Sequence, residues 1–99
     1  MRLAPDIQQA VNINGQWTVT FKTTPQARAI SRIVISGGPQ VTVNVYIDEI
    51  LVDTTPNGNV NSAEYYQPLD LPAGSICKLT WASASGAAPI GTLFTKEAL

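Results

Sequence analysis

Hydrophobic and polar residues alternate with a period of two over much of this chain. The pattern is clearest in the windows 17–22, 33–36 and 41–48, where Val, Ile, Trp or Phe occupies every second position. Successive side chains of a β-strand point to opposite faces, so this alternation predicts strands with one buried face. β-Branched and aromatic residues are frequent at these positions, and no window shows the sustained stripe of an amphipathic helix.

Turn-forming residues separate the alternating windows at short and regular intervals. The turn signals are Asn14-Gly15, Thr24-Pro25, Gly37-Gly38-Pro39, Asp48-Glu49, Pro56-Asn57-Gly58, Pro72-Ala73-Gly74 and Ser85-Gly86. Between them the sequence predicts strands near 16–22, 27–36, 40–47, 50–55, 63–69, 75–82 and 89–96. About seven to eight short antiparallel strands of this spacing are typical of an all-β sandwich or jelly roll. The 99 residues are enough for one such domain.

The segment around Asp48-Glu49 predicts the register of one hairpin. A two-residue turn there places three pairs opposite each other: Ile47 with Ile50, Val45 with Val52 and Val43 with Thr54. All these side chains then share one face, and Tyr46 and Leu51 point outward from the other face. Asp-Glu departs from the usual turn pair, because the second position commonly requires Gly.

The first 14 residues show no clean alternation. We therefore predict an N-terminal arm over 1–14 and a single β-sandwich domain over 15–99. The stretch PDIQQAV suits one helical turn, whereas VNI suits a short edge strand. Two interpretations stay open: a frayed terminus, or an arm that docks on a neighbouring subunit. In the second interpretation the candidate partner-binding residues are Arg2, Ile7, Val11 and Ile13.

Composition indicates an unusually neutral surface. Charged residues make up 13% of the chain and the net charge is −1, whereas typical soluble domains carry about 25% charged residues. A neutral surface on a β protein favours coverage by partners or by copies of itself. The six Lys and Arg residues are scattered, which argues against nucleic-acid binding. No apolar stretch has the length of a membrane span or the position of a signal peptide, so we expect no membrane partner.

The side chains available for catalysis are few. The chain has no histidine, and histidine is the commonest general base and a common metal ligand. Cys77 shares a predicted strand face with Leu79 and Trp81, so we expect a buried and unreactive thiol. The acidic residues are scattered, and a small sandwich has little room for a substrate cleft. We therefore expect no enzymatic activity and no cofactor.

One spacing is similar to that of a calcium-binding loop. In the string DTTPNGNVNSAE, the positions that correspond to ligands and to the central Gly of an EF-hand loop are Asp53, Thr55, Asn57, Gly58, Asn61 and Glu64. Pro56 interrupts the loop, only two carboxylates are present, and no amphipathic helix flanks it. A Pro-Asn-Gly turn with an Asn-rich loop is the simpler interpretation, and calcium binding stays open.

Tyrosine residues provide the other candidate contacts. Tyr65 and Tyr66 are adjacent in a predicted strand, so one of them should point outward. Tyr46 should also point outward, opposite Leu51. These four residues are therefore candidates for a contact surface with another protein. The three tyrosines are also the candidates for a carbohydrate-binding platform, whereas both tryptophans share strand faces with apolar residues and are expected in the core.

Two segments in the second half of the chain carry a pattern of their own. They are VTVNVYIDEILVDTTPNG and LDLPAGSICKLTWASASGAAPIGTLF, with the matching positions Val45, Tyr46, Asp48, Leu51, Asp53, Pro72, Gly74, Trp81 and Gly86. Together they resemble small β-sandwich virion proteins of tailed bacteriophages, over about residues 40–95. Glu49 departs from the Gly expected at the turn of that pattern.

The resemblance implies a non-enzymatic structural protein of the virion, assembled in the host cytoplasm. The function it favours is a capsid cement or decoration subunit, which binds the capsid surface and neighbouring copies and so stabilises the particle. The implied partners are the major capsid protein or other virion proteins, together with further copies of the chain, with a trimer favoured. A tail or neck subunit and a carbohydrate-binding β-sandwich module are the alternatives.

Overall fold

The computed structural model describes residues 3–36, 42–55, 62–82 and 89–98. Within these ranges the chain forms strands and no helix. The strands are β1 (Asp6–Gln9), β2 (Val11–Ile13), β3 (Gln16–Thr20), β4 (Arg28–Ser36), β5 (Val43–Ile47), β6 (Ile50–Thr54), β7 (Ser62–Leu71), β8 (Cys77–Ala82) and β9 (Ile90–Glu97). The all-β prediction is confirmed. Each of the seven predicted windows overlaps one strand, and two further strands lie in the N-terminal segment.

Two antiparallel sheets pack against each other. One sheet has the strand order β1-β9-β4-β7, and the other has the order β2-β3-β8-β5-β6. Apolar side chains from both sheets form the core, and those that are at most 2% exposed include Val19, Ile30, Ile33, Val43, Val45, Leu71, Leu79 and Leu93. Burial of each such side chain stabilises the fold by about 1.5–3 kcal/mol before entropy is counted. The alternating windows of the sequence supply these residues.

The N-terminal segment contributes an edge strand to each sheet. β1 pairs with β9, and β2 pairs with β3. The chain crosses from one sheet to the other at Ala10, which is buried and donates its N–H to the carbonyl oxygen of Pro89 at 2.8 Å. The predicted helical turn in this segment is wrong, because Asp6–Gln9 pairs in strand register along β9. The predicted edge strand at Val11–Ile13 is confirmed.

The β5–β6 hairpin has the predicted two-residue turn. Asp48 and Glu49 have φ angles of 51° and 68°, as a type I′ turn requires. Asp48 is anchored to Ile76, since its N–H donates to the Ile76 carbonyl oxygen and its carboxylate accepts the Ile76 N–H, both at 2.9 Å. Lys78 Nζ lies 2.7 Å from a carboxylate oxygen of Glu49. These contacts hold a turn that contains no glycine.

The predicted register of this hairpin is correct only beside the turn. Ile47 lies opposite Ile50, as predicted. Further along, the pairing shifts and Val45 lies opposite Asp53, which leaves Val52 as the extra residue of a β-bulge. The two pairs predicted beyond the first are therefore wrong. One inserted residue reverses the alternation that follows it, but the three successive apolar residues Ile50, Leu51 and Val52 hide that reversal in the sequence.

A larger irregularity interrupts the pairing of β4 with β7. Regular pairing stops at Ile30 and resumes at Arg32, while the partner strand passes from Leu69 to Glu64. The four residues 65–68 of β7 therefore have no regular partner on β4. One of them is a proline, which has no N–H to donate to a ladder. This excursion of β7 shapes the site described next.

Candidate binding site

The β7 excursion borders an open depression, which we call the bulge groove. Its volume is about 620 Å³, and the side chains that line it include Leu3, Ser31, Arg32, Glu64, Tyr66 and Phe94. Arg32, Phe94 and Glu64 lie opposite one another on three adjacent strands, β4, β9 and β7. The groove is therefore built across the four-stranded sheet, at the point where its ladder is irregular.

Arg32 occupies the centre of this row. Its guanidinium carbon lies 5.6 Å from the centroid of the Phe94 ring, within the distance of a cation–π contact. Its Nε lies 4.0 Å from a carboxylate oxygen of Glu64. This Nε is shielded from solvent and has no hydrogen-bond partner among the described residues. The side chain as a whole is 43% exposed, so its exposed area lies on other atoms.

The two adjacent tyrosines point in different directions, as predicted. Tyr66 is fully exposed. Tyr65 is half-buried and donates its hydroxyl proton to the Asp53 carboxylate at 2.9 Å, which links β7 of one sheet to β6 of the other. Burial, followed by the hydrogen bond and the charge of Asp53, raises the pKa of Tyr65 well above its usual value. Tyr65 thus anchors the excursion, and Tyr66 is left free on the surface.

Exposed apolar side chains also lie on the two N-terminal edge strands, and we call this set the N-terminal flank. It consists of Ile7, Val11 and Ile13, which are 61%, 61% and 52% exposed. Ile7 lies on β1 and the other two lie on β2, at the edges of the two sheets. Edge strands commonly carry charged residues or proline that discourage pairing with other chains. The sequence of β2, VNI, carries neither. The fourth predicted residue of this segment, Arg2, lies outside the described residues.

The opposite edge of the five-stranded sheet is also apolar. Ile50, Leu51 and Val52 on β6 are 67%, 51% and 41% exposed. Tyr46 lies opposite Leu51, as predicted, but it is partly covered by Lys78, whose Nζ lies 5.1 Å from the ring centroid. The exposure of Ile50 and Val52 was not predicted, because both were assigned to the inner face.

Cys77 is buried, as predicted, with 1% of its surface exposed. Burial raises the pKa of its thiol to about 12, and the nearby Arg28 charge opposes this shift. The reactive thiolate is therefore scarce at neutral pH. Arg28 is itself buried and donates from its guanidinium to the Lys22 carbonyl oxygen at 2.9 Å. The cysteine is part of the core.

Of the residues in the EF-hand-like spacing, the structure describes Asp53, Thr55 and Glu64, and each of them contacts other residues of the chain. Asp53 accepts the tyrosine hydrogen bond described above, and Glu64 faces the bulge groove. The Thr55 hydroxyl is buried and accepts the N–H of Val43 at 3.0 Å. Residues 56–61 lie outside the described residues. Among residues that are described, no group of three His, Cys, Asp or Glu side chains is placed to hold a metal ion.

The sequence indicated part of the bulge groove and missed the rest. Tyr65 and Tyr66 were singled out because neighbouring strand residues alternate. Arg32, Glu64 and Phe94 were not, because their meeting depends on the pairing of three strands that are distant in sequence. The usable signal was the proline inside the predicted strand 63–69, since proline within a strand indicates an edge or a bulge.

Comparisons with known proteins give no match to this chain. No family model, no curated protein and no solved structure corresponds to it. In the parts of the chain that the structure describes, no helix is long and apolar enough to cross a membrane. The candidate sites therefore rest on the geometry of the chain itself.

Proposed function

We propose that the chain is a non-enzymatic structural subunit of a bacteriophage virion, namely a capsid cement or decoration protein. It binds the capsid surface and neighbouring copies of itself. The observation that carries this function is the N-terminal flank, where Ile7, Val11 and Ile13 expose apolar side chains along the edge strands of both sheets. The resemblance of segments 41–58 and 69–94 to small virion proteins supports the capsid and other virion proteins as the partners.

The N-terminal flank supports association of moderate strength. Val11 and Ile13 share one face of β2 and are each between half and two-thirds exposed, so covering them contributes about 1 kcal/mol each. A total of about 2 kcal/mol corresponds to a factor of roughly thirty in Kd. This is modest for one subunit, but joining copies in a symmetric trimer makes the later contacts intramolecular. Repetition of the contact on a particle thus favours a homotrimer that binds the capsid.

The low charge of the chain is consistent with repetition. A net charge of −1 lets identical subunits lie side by side with little mutual repulsion. The apolar edge of β6, at the other end of the five-stranded sheet, gives a second surface that a neighbouring copy can cover. A sandwich with apolar residues at both edges of one sheet is suited to contacts on two sides.

Binding to particles tests this function. Particles of the phage that encodes the chain, prepared without it, are mixed with the purified protein and sedimented. We expect the wild-type protein to sediment with the particles, and the double variant Val11→Lys, Ile13→Lys to stay in the supernatant. Ile76→Lys is the matched control, because Ile76 is 43% exposed but lies outside the N-terminal flank. It should bind like the wild type.

The outcome that overturns the function is absence of the chain from purified particles together with failure to bind them. Immunogold labelling then separates the positions within a virion. Gold on the capsid surface supports a cement or decoration subunit. Gold confined to the tail or neck excludes that assignment and replaces it with a tail or neck subunit.

A further inference from the structure

We propose that the bulge groove binds a neutral saccharide, with Tyr66 as the stacking platform and Arg32 and Glu64 as hydrogen-bonding partners of the sugar hydroxyls. This binding activity is separate from attachment through Val11 and Ile13 of the N-terminal flank. The groove lies on the four-stranded sheet around β4, β7 and β9, whereas Val11 and Ile13 belong to the five-stranded sheet.

Tyr66 presents an aromatic surface that the fold itself does not use. Its side chain is fully exposed, although tyrosine rings usually bury much of their area. The neighbouring Tyr65 holds the excursion in place through its hydrogen bond to Asp53. The apolar C–H face of a pyranose ring packs against an aromatic ring and leaves the sugar hydroxyls to polar side chains. Tyr66 is positioned for that contact at the rim of the groove.

Arg32 and Glu64 provide a donor and an acceptor side by side. Arg32 Nε lies 4.0 Å from the Glu64 carboxylate, which is too long for a hydrogen bond. In this contact neither the guanidinium N–H nor the carboxylate oxygen forms a hydrogen bond with the other group. Their side chains are 43% and 78% exposed. Each sugar hydroxyl both donates and accepts, so neighbouring hydroxyls fit a guanidinium beside a carboxylate. Phe94 supports the guanidinium from its other side.

The charge of the groove favours a neutral ligand. Among the residues that the structure describes, the lining contains one arginine and one glutamate, whose charges compensate each other. A phosphate or an acidic sugar placed against Arg32 would also approach the Glu64 carboxylate. The volume of about 620 Å³ lies inside the usual range of small-ligand sites. Because the groove is open, a longer oligosaccharide can extend beyond it.

Titration with defined sugars tests this site. The probes are neutral di- to tetrasaccharides of glucose, galactose, mannose and N-acetylglucosamine, with sialyllactose as the acidic comparison, followed by amide NMR shifts of the labelled protein. We expect at least one neutral probe to bind with a Kd of about 1 mM or tighter. The shifts should centre on residues 31–32 and 64–66. Sialyllactose should bind more weakly than its neutral counterpart, lactose.

Substitutions in the bulge groove test whether Tyr66 and Glu64 contribute to sugar binding. Tyr66→Ala should weaken the best probe by about tenfold, since it removes the stacking surface. Glu64→Gln should weaken it several-fold, because it replaces a carboxylate acceptor with a weaker amide. Ile76→Ala is the matched control and should bind like the wild type. Thermal melting of each variant checks that the fold is kept, which is expected because Tyr66 and Glu64 are exposed.

Three results would overturn the saccharide site. These are no binding of any probe, binding that survives Tyr66→Ala, and tighter binding of sialyllactose than of lactose. If sugars fail to bind and Tyr66→Ala instead abolishes sedimentation with particles, the groove is a protein contact. The double variant Val11→Lys, Ile13→Lys should bind sugar normally, so failure of particle attachment and failure of sugar binding remain distinguishable.

Discussion

At the scale of single residues, Gly91 lies where the two sheets approach each other closely. A Cβ at this position would lie 3.0 and 3.1 Å from the two methyl groups of Val19, which is fully buried in the facing sheet. A β-branched side chain in the core has little freedom to move away. We expect Gly91→Ala to lower the free energy of unfolding by about 1–3 kcal/mol, measured by urea denaturation.

The matched test of this contact is a double-mutant cycle. Val19→Ala alone should be destabilising, because it leaves a cavity. With that space opened, the added cost of Gly91→Ala should largely disappear, so that the two effects do not add. Additive effects would mean that Gly91 and Val19 do not limit each other.

Cys77 gives a residue-scale prediction of alkaline stability. Its pKa in the folded protein is raised to about 12, whereas an unfolded cysteine has a pKa of about 8.5. Between these values the unfolded chain loses its thiol proton and the folded chain keeps it. The free energy of unfolding should therefore fall as the pH rises above about 8.5.

Urea denaturation over this pH range measures the effect. Cys77→Ala should be less stable at pH 7, yet its stability should fall less steeply above pH 8.5. The Tyr65 hydroxyl acts in the same direction from about pH 10, so the comparison of the two proteins is made below that pH. Equal slopes for wild type and variant would contradict a raised thiol pKa.

The burial of individual residues was predictable wherever the period of two applied. Cys77, Leu79 and Trp81 were assigned to one inner face, and all three are at most 2% exposed. The close approach at Gly91 was not predictable. It depends on which residue of the opposite sheet lies above it, and a local pattern contains no such information.

At the scale of elements, the β5–β6 turn combines a favourable length with an unfavourable residue. Glu49 has a φ of 68°, which costs about 1 kcal/mol for a residue with a Cβ. Its ion pair with Lys78 is on the surface and offsets little of that cost. We expect Glu49→Gly to raise the urea midpoint, whereas Glu49→Ala should lower it.

The alanine variant is the control for the ion pair. Both variants remove the contact with Lys78, but only glycine relieves the positive φ. The difference between them therefore measures the conformational term alone. Equal stability of the two variants would show that the turn is not strained at this position.

Element positions were predictable from turns and alternation, but irregular pairing was not. All seven predicted windows overlap a strand, and the turn at Asp48-Glu49 is correct. β1 was missed because its sequence, DIQQ, shows weak alternation and gains its strand structure by pairing with β9. The bulge at Val52 was missed because successive apolar residues hide the reversed alternation. The excursion 65–68 was missed because its four residues leave the period-two pattern on each side intact.

At the scale of the whole molecule, the order of strands in the sheets could not be derived from the sequence. Alternation identifies the buried face of a strand but not its neighbour. β3 pairs with β8, and β4 with β9, across most of the chain. The bulge groove depends on this long-range order, since it joins residues of β4, β7 and β9. The N-terminal flank depends less on the strand order. Its apolar residues lie in a segment without clean alternation, and that feature can be recognised in the sequence alone.

The balance of apolar and charged surface leads to a prediction for the proposed binding to virus particles. The N-terminal flank is apolar and the net charge is −1, so attachment should depend little on electrostatic attraction. Raising NaCl from about 0.05 to about 0.5 M shortens the Debye length severalfold and would weaken binding through charges. Burial of apolar surface is not screened in this way. We therefore expect the sedimented fraction to be equal or higher at the higher salt concentration.

Val11→Ala with Ile13→Ala should weaken attachment to the same extent at both concentrations, because it removes apolar area and no charge. A sharp loss of wild-type binding in high salt would assign attachment to charged residues elsewhere on the surface.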